Sequence, residues 1–229
     1  MAAETAFEIY KDLLRKSLVK YMRKAFHMLP GLDKPHILDI GCGSGVPTIE
    51  LARLSDGQIT GLDIDQHLLD RLISKIEEAG LSDRVKAVKG SMFDMDFASE
   101  SFDVIWAEGS ISAIGFKKGL EEWRRFLKPD GFLVVHDEAG EITDKLELIN
   151  DCDYELIDYF TISEDTWWTE YYAPLEQKID EMRAKYADSP GVLDKLGEDR
   201  RFLDMFKKNP ERYSSVYFIM KKAGKVGIA

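Results

Sequence analysis

From His36 to Leu54 the chain reads HILDIGCGSGVPTIELARL, and this stretch constrains the fold more than any other. Ile37-Leu38-Asp39-Ile40 is too short for a helix and mostly apolar, which predicts a strand buried on both faces. Gly41, Gly43 and Gly45 follow at alternate positions. Glycine adopts positive φ without strain and lets a ligand come close to the backbone, so the three predict a tight turn open to contact. Pro47 suits the first turn of a helix, where its missing N–H is no loss, and Ile49, Leu51, Ala52 and Leu54 give that helix its apolar positions. Strand, glycine turn and helix in this order form the ligand-binding corner of an open α/β sheet.

The glycine spacing narrows the ligand. A dinucleotide turn needs G-x-G-x-x-G, but Val46 stands where the third glycine would fall and Gly45 comes one residue early. The G-x-G-x-G run behind Ile-Leu-Asp-Ile resembles the first motif of the class I S-adenosylmethionine-dependent methyltransferases. A second likeness lies downstream. An amphipathic helix over Gly115 to Leu127 (through Phe116, Leu120 and Trp123), a Leu127-Lys128-Pro129-Asp130-Gly131 turn and a strand over Phe132 to His136 recur in the small-molecule members of that family. The resemblance covers residues 34 to 138 and, in topology, the last two strands. It implies an α/β, doubly wound, mostly parallel seven-stranded sheet of the Rossmann-like methyltransferase type, with an antiparallel last strand and a helical lid insertion. It also implies S-adenosyl-L-methionine as cofactor and S-adenosyl-L-homocysteine as product, with Asp39, Gly41, Cys42, Gly43 and Gly45 in the cofactor corner.

The composition fits one soluble domain. Of 229 residues, 45% are hydrophobic and 32% charged, as in ordinary globular proteins. The expected organisation is a single domain over 1–229: a leading helix in 1–32, a cofactor-binding core over 33–162, a helical lid over 163–212, and a last strand and tail over 213–229. No apolar run approaches the ~18 residues of a membrane span, and the start, MAAETAFEIYKDLL, is too charged for a signal peptide. The expectation is a cytoplasmic protein without a membrane partner. A net charge of −11 repels phosphates and argues against nucleic acid. Two cysteines, Cys42 and Cys152, cannot frame a metal site, and neither a second histidine nor a C-x-x-C accompanies His136-Asp137-Glu138, so no metal is expected.

Along the chain, Phe7, Tyr10, Leu14, Leu18, Tyr21 and Ala25 recur at helical steps over residues 5–28, ending at Pro30-Gly31. Leading helices in related methyltransferases help close the cofactor pocket, which makes Phe7 and Tyr10 candidates for substrate contact. Asp63 ends the second strand 22 residues beyond Gly41, close to the ~20 expected of an acidic residue that accepts hydrogen bonds from both ribose hydroxyls. Ile64 follows it in the cofactor-binding set, and Asp65 is placed to cap the helix Gln66 to Ala79. Ser91 and Met92 stand where the family flanks adenine, commonly with an acid in place of Ser91. Glu108, at the end of the fourth strand (Ser101–Ala107), is the charged candidate for holding a substrate amine and is counted with the cofactor contacts. Glu108 and His136 are the candidate catalytic bases, required only if the nucleophile arrives protonated.

Between a sixth strand (Tyr154–Ile162) and a seventh (Ser215–Lys221) lie about fifty residues where a short connection would suffice. Trp168, Tyr172, Leu175, Ile179, Met182 and Tyr186 make a core-facing helical stripe, broken near its start by Pro174. Trp167 and Tyr171 fall beside the stripe and are candidates for touching substrate under a lid. The function expected is methyl transfer to a small-molecule nucleophile by in-line displacement, with a lean toward an amine because aromatic faces and carboxylates suit ammonium groups. Two alternatives stay open: an S-adenosylmethionine-binding sensor or scaffold without catalysis, and an NAD-type oxidoreductase, which the glycine spacing disfavours.

Overall fold

The computed structural model describes residues 2–224 and resolves into two compact units. Part of the tail expected over 213–229 (residues 225–229) lies outside the described residues.

The larger unit comprises residues 21–137 and 141–160 together with the chain from Val216 onward. Its seven-stranded sheet runs in the order β3-β2-β1-β4-β5-β7-β6. Strand β1 (His36–Ile40) pairs in parallel with β2 (Gln58–Asp63) on one side and β4 (Phe102–Glu108) on the other. Strand β3 (Val85–Lys89) continues outward from β2, and β5 (Leu127–Glu138) from β4, both in parallel. The last strands, β6 (Tyr154–Ile162) and β7 (Ser215–Lys222), form the antiparallel edge. Strand order reverses between β1 and β4, so the carboxyl ends there flank the crevice in which open α/β sheets hold ligands. Leu38, Ile40, Val104, Ile105, Leu133 and Val134 are fully buried, as strands covered on both faces demand.

Helices α2 (Val46–Leu54) and α3 (Gln66–Glu78) return the chain from β1 to β2 and from β2 to β3. Pro47 occupies the first turn of α2 and Asp65 caps α3, its carboxylate accepting from His67 N at 2.8 Å, both as expected. The Arg84 guanidinium donates to the carbonyls of Ala52, Ser55 and Gly57, satisfying acceptors at the end of α2 that no helical N–H reaches. A short α4 (Ile111–Ile114) precedes the helix expected over Gly115 to Leu127, which forms as α5 (Phe116–Trp123) ending in a 3-10 turn at Arg124–Phe126. The anticipated Leu127–Gly131 turn is part of β5, where Asp130 takes a positive φ and the register against β4 shifts. Helix α6 (Ile142–Asp151) leads into β6.

The smaller unit takes the chain through Lys20, residues 138–140 and residues 161–215. It is helical: the first part of α1 (Ala2–Phe26), α7 (Glu164–Trp167), α8 (Ala173–Lys185) and α9 (Pro190–Lys208). Its core gathers Phe7, Leu14, Tyr171, Leu175, Ile179, Met182, Leu196 and Leu203. Pro174 does not break the helix as expected. Lacking an N–H, it cannot bond to the carbonyl four residues back, and the chain passes into α8 through a π-turn at Trp168–Tyr172. There Ala173 N–H reaches back five residues to the Trp168 carbonyl.

Candidate functional site

The three glycines of the turn do different things. All have positive φ: 72° at Gly41, 54° at Gly43 and 82° at Gly45. A Cβ at Gly45 would sit 2.2 Å from Leu72 Cδ1, and one at Gly41 would sit 2.6 Å from Ser110 Cβ. Those two positions are closed by packing against α3 and the start of α4. Over Gly43 a Cβ would meet nothing within 4 Å, so this backbone is the part of the turn open to an approaching molecule.

Neighbouring side chains lock the turn. Gly41 N and Cys42 N donate to the Leu62 carbonyl at 2.8 and 3.0 Å, tying the turn to β2. Asp39 is buried beneath it and accepts from Thr48 Oγ1 at 2.6 Å, joining β1 to α2. Burial pushes the Asp39 carboxyl up to about 7; the Thr48 bond opposes this, while the charges of Glu108 and Asp63 add to it. The structure thus places Asp39 under the turn as its anchor. Cys42 is buried against Gly61, with its thiol pushed well above the ordinary range by burial, an inert side chain filling a gap.

The adjoining acidic tip also faces the turn. Asp63 accepts from Gly43 N through Oδ2 at 2.8 Å and from Asp65 N through Oδ1 at 2.9 Å. Each carboxylate oxygen has a second lone pair, so the group that fixes the turn retains acceptor capacity for hydroxyls. Ile64 beside it is 69% exposed, an apolar side chain lying open at the mouth of the corner. Met92 reaches in from the loop after β3, its Cε 3.8 Å from where a Gly41 Cβ would stand. Ser91 uses its Oγ to accept from Phe93 N at 3.2 Å. An open backbone over Gly43, an acidic tip with spare lone pairs and flanking Ile64 and Met92 leave a corner with the chemistry to fit a nucleoside.

At the ends of β4 and β5, Glu108 and His136 are register partners. Glu108 Oε1 accepts from Trp106 Nε1 at 2.8 Å, and its carboxylate also takes the hydrogen bond of the Tyr217 hydroxyl from β7. His136 lies flat on Tyr217, ring centroids 4.2 Å apart and planes 8° from parallel. Burial pushes His136 down to about 3. An imidazole that binds a proton so weakly makes a poor general base, and the structure gives it instead the role of a neutral plate behind Tyr217. Trp106, Tyr217 and Ser110, whose Oγ donates to the Ile40 carbonyl at 2.6 Å, were missed from sequence. Trp106 carried a usable signal: residues i and i+2 on a strand share a face, which places it beside Glu108.

The candidates in the helical unit are gathered elsewhere, into that unit's own core. Phe7 is buried there, and the Tyr10 hydroxyl donates to the Pro174 carbonyl at 3.4 Å. Trp167 Nε1 donates to Ser215 Oγ at 2.8 Å, and the Tyr171 ring packs edge-on against Trp167 and Tyr172. Trp168 and Tyr172 stack with Phe206, which also stacks on Tyr213. These rings fill one another's faces. The Lys207 ammonium lies over the Trp168 ring, 5.2 Å from its centroid. Among the described residues no cluster of three or more His, Cys, Asp or Glu could hold a metal ion, and no helix is long and apolar enough to cross a membrane.

Comparison with known proteins places this corner in a family. A model described as Methyltransferase domain matches residues 37–131, from β1 into β5. A sterol 24-C-methyltransferase of Gibberella zeae is 34% identical over 118 residues, 51% of this chain and 30% of that protein. One from Neurospora crassa is 37% identical over 102 residues, 44% of this chain and 27% of that protein. The match to these two curated relatives spans less than a third of their length. Among solved structures, the 4+2 cyclase SpnF superposes with a TM-score of 0.74 at 22% identity, covering 89% of this chain and 80% of that one. The geranyl diphosphate C-methyltransferase of Streptomyces coelicolor A3(2) does so with 0.65 at 16%, covering 88% and 79%. These two likenesses concern the fold. Together with the glycine corner and its acidic tip, these findings show that the segment from β1 into β5 is similar to a methyltransferase domain.

Proposed function

We propose that this chain transfers a methyl group from S-adenosylmethionine to a small molecule. The observation that carries the reading is the open backbone at Gly43 bonded to the Asp63 carboxylate, a cradle for a nucleoside sugar and its attached amino-acid chain. Gly43 and the start of α2 would face the methionine part, Asp63 the ribose hydroxyls, and Ile64, Ser91 and Met92 the adenine. When bound, the cofactor supplies an already activated methyl carbon on a cationic sulfur. The protein's part is then to align the acceptor, which is worth ~7–11 kcal/mol of the barrier, and to place negative charge beside the reacting centre. Glu108 is the carboxylate at that edge.

For the acceptor, the names of the matched relatives support a sterol-like apolar molecule methylated at carbon in preference to an amine. An alkene-carbon acceptor would gain a C–C bond to the methyl as S-adenosylhomocysteine leaves, and the cation so formed would pass a proton to water. Glu108 can neutralise that charge as it develops. A net charge of −11 supports a partner other than nucleic acid.

The test is S-adenosylhomocysteine release with a panel comprising a side-chain-unsaturated sterol, a methylated glycine and a phosphorylated ethanolamine, beside calorimetric titration with S-adenosylmethionine and NADH. Turnover of the sterol is expected. Turnover of the amines alone would overturn the acceptor class and keep the transferase. Tight S-adenosylmethionine binding without release on any acceptor would point to a sensor, and binding of NADH alone would end the reading.

A further inference from the structure

Glu108 is held in an unusual way for a carboxylate at a ligand-facing edge: both of its named donors are neutral and locked in place. Trp106 is fully buried within β4 and aims its indole N–H at Oε1 over 2.8 Å. Tyr217, 2% exposed, donates its hydroxyl from β7. The phenol ring is held in place, because His136 stacks on it at 4.2 Å and Phe160 at 5.2 Å between ring centroids. The Lys24 ammonium rests 3.9 Å from the centroid of the Phe160 ring. Such a chain of ring contacts costs little to maintain, since every ring is already packed, and it leaves the phenol one orientation.

The surrounding groups keep these donors as donors. Burial and the charge of Glu108 raise Tyr217 well above its ordinary range, so its hydroxyl stays protonated. From β5, His136 is neutral and does not offset the carboxylate's charge. From β1, Asp39 also faces Glu108, and with its carboxyl lifted to about 7 it is largely protonated below neutrality. Hydrogen bonds to a carboxylate are stronger than those to a neutral acid, so two fixed donors hold the Glu108 oxygens in place.

We propose that Trp106 and Tyr217 are positioning residues that hold the Glu108 carboxylate immobile beside the glycine turn, as a fixed anionic wall for the cationic sulfur of the bound cofactor. The proposal rests on the methyltransferase reading and adds the origin of the site's charge selectivity. Its place follows from the strand pairing: β4 lies against β1, and Gly41 of the turn packs on Ser110, two residues past Glu108.

The equilibrium test needs no acceptor. S-adenosylmethionine and S-adenosylhomocysteine differ at the sulfur, cationic in one and neutral in the other, so the ratio of their dissociation constants reads the charge beside it. Calorimetry on the full chain compares wild type with Glu108→Gln, Trp106→Phe and Tyr217→Phe. Glu108→Gln is expected to weaken S-adenosylmethionine about tenfold and S-adenosylhomocysteine less than about twofold. Tyr217→Phe, which keeps the ring, and Trp106→Phe, which keeps a smaller aromatic ring, each remove one donor without changing the charge and are expected to weaken S-adenosylmethionine alone by about threefold. Unchanged homocysteine binding in each variant also shows that the corner is still folded. Equal weakening of both ligands in Trp106→Phe and Tyr217→Phe, or no change of the ratio in Glu108→Gln, overturns the clamp and leaves the methyltransferase reading standing. Wild type that binds neither ligand overturns both.

Discussion

The sheet unit and the helical unit treat their marked residues in opposite ways. At the carboxyl edge of the sheet, Gly43, Asp63, Met92 and Glu108 come from four separate segments and meet around one turn. In the helical unit, Phe7, Trp167 and Tyr171 also converge, but on one another, to close a core. The difference lies in what each pattern encodes. A glycine turn followed by an acidic strand end specifies backbone geometry and a charge that must be used, whereas aromatic residues at helical spacing specify only a face to bury.

The comparison breaks first at Tyr171. If the helical unit's aromatics are core, Tyr171→Ala should cost about 3–5 kcal/mol of stability in denaturant unfolding and leave the S-adenosylhomocysteine affinity of the surviving folded protein unchanged. A loss of affinity with stability intact would reassign Tyr171 to the site.

Asp39 sharpens the contrast, because it belongs to the motif yet is buried like a core residue. Its carboxyl keeps a proton in the folded state up to about pH 7 and only to 3.8 when exposed, so its contribution to stability falls as pH rises across that window. His136 has the opposite sign: neutral when folded down to about 3 and protonated below 6.5 when exposed, it makes stability rise with pH. The two slopes cancel where the windows overlap. Asp39→Asn should unmask the histidine, giving a stability that climbs by roughly 2 kcal/mol between about pH 4.5 and 6.5, where wild type stays nearly flat. Unfolding curves measured across that range decide it; identical profiles would mean that Asp39 does not hold its proton.

The smallest effect is expected at Asp63. Removing the carboxylate in Asp63→Ala should weaken S-adenosylhomocysteine binding by about 1.5–3 kcal/mol, the scale of hydrogen bonds to a charged group. Isothermal titration with unchanged affinity would remove Asp63 from the ligand and leave it a brace between Gly43 and Asp65.

Much of this could be read from residues alone, and the failures have identifiable causes. The strand at 36–40, the cap at Asp65 and the acidic tip at Asp63 each follow from short-range rules, in which a residue's role depends on its immediate neighbours. The Leu127–Gly131 turn was misplaced because Asp130 absorbs the irregularity at positive φ while the strand continues through it. Tyr171 was assigned beside the buried stripe because the spacing assumed regular α-helical turns ahead of Pro174. The π-turn inserts an extra residue ahead of α8, which shifts the faces on either side and brings Tyr171 into the core at 8% exposure. Tyr217 was beyond reach for a different reason: β7 returns to lie between β5 and β6 from the far end of the chain, and nothing local to Ser215–Lys222 announces which strand it will join.

Both native thiols, Cys42 and Cys152, are buried, and both are pushed up from their ordinary titration range by burial. Alkylating reagents at neutral pH should therefore find little to react with, and the chain supplies its own clean background for labelling. A single cysteine substituted for the exposed Ile64 would then carry a fluorophore at the rim of the corner, where quenching or protection would report the arrival of a nucleoside in real time.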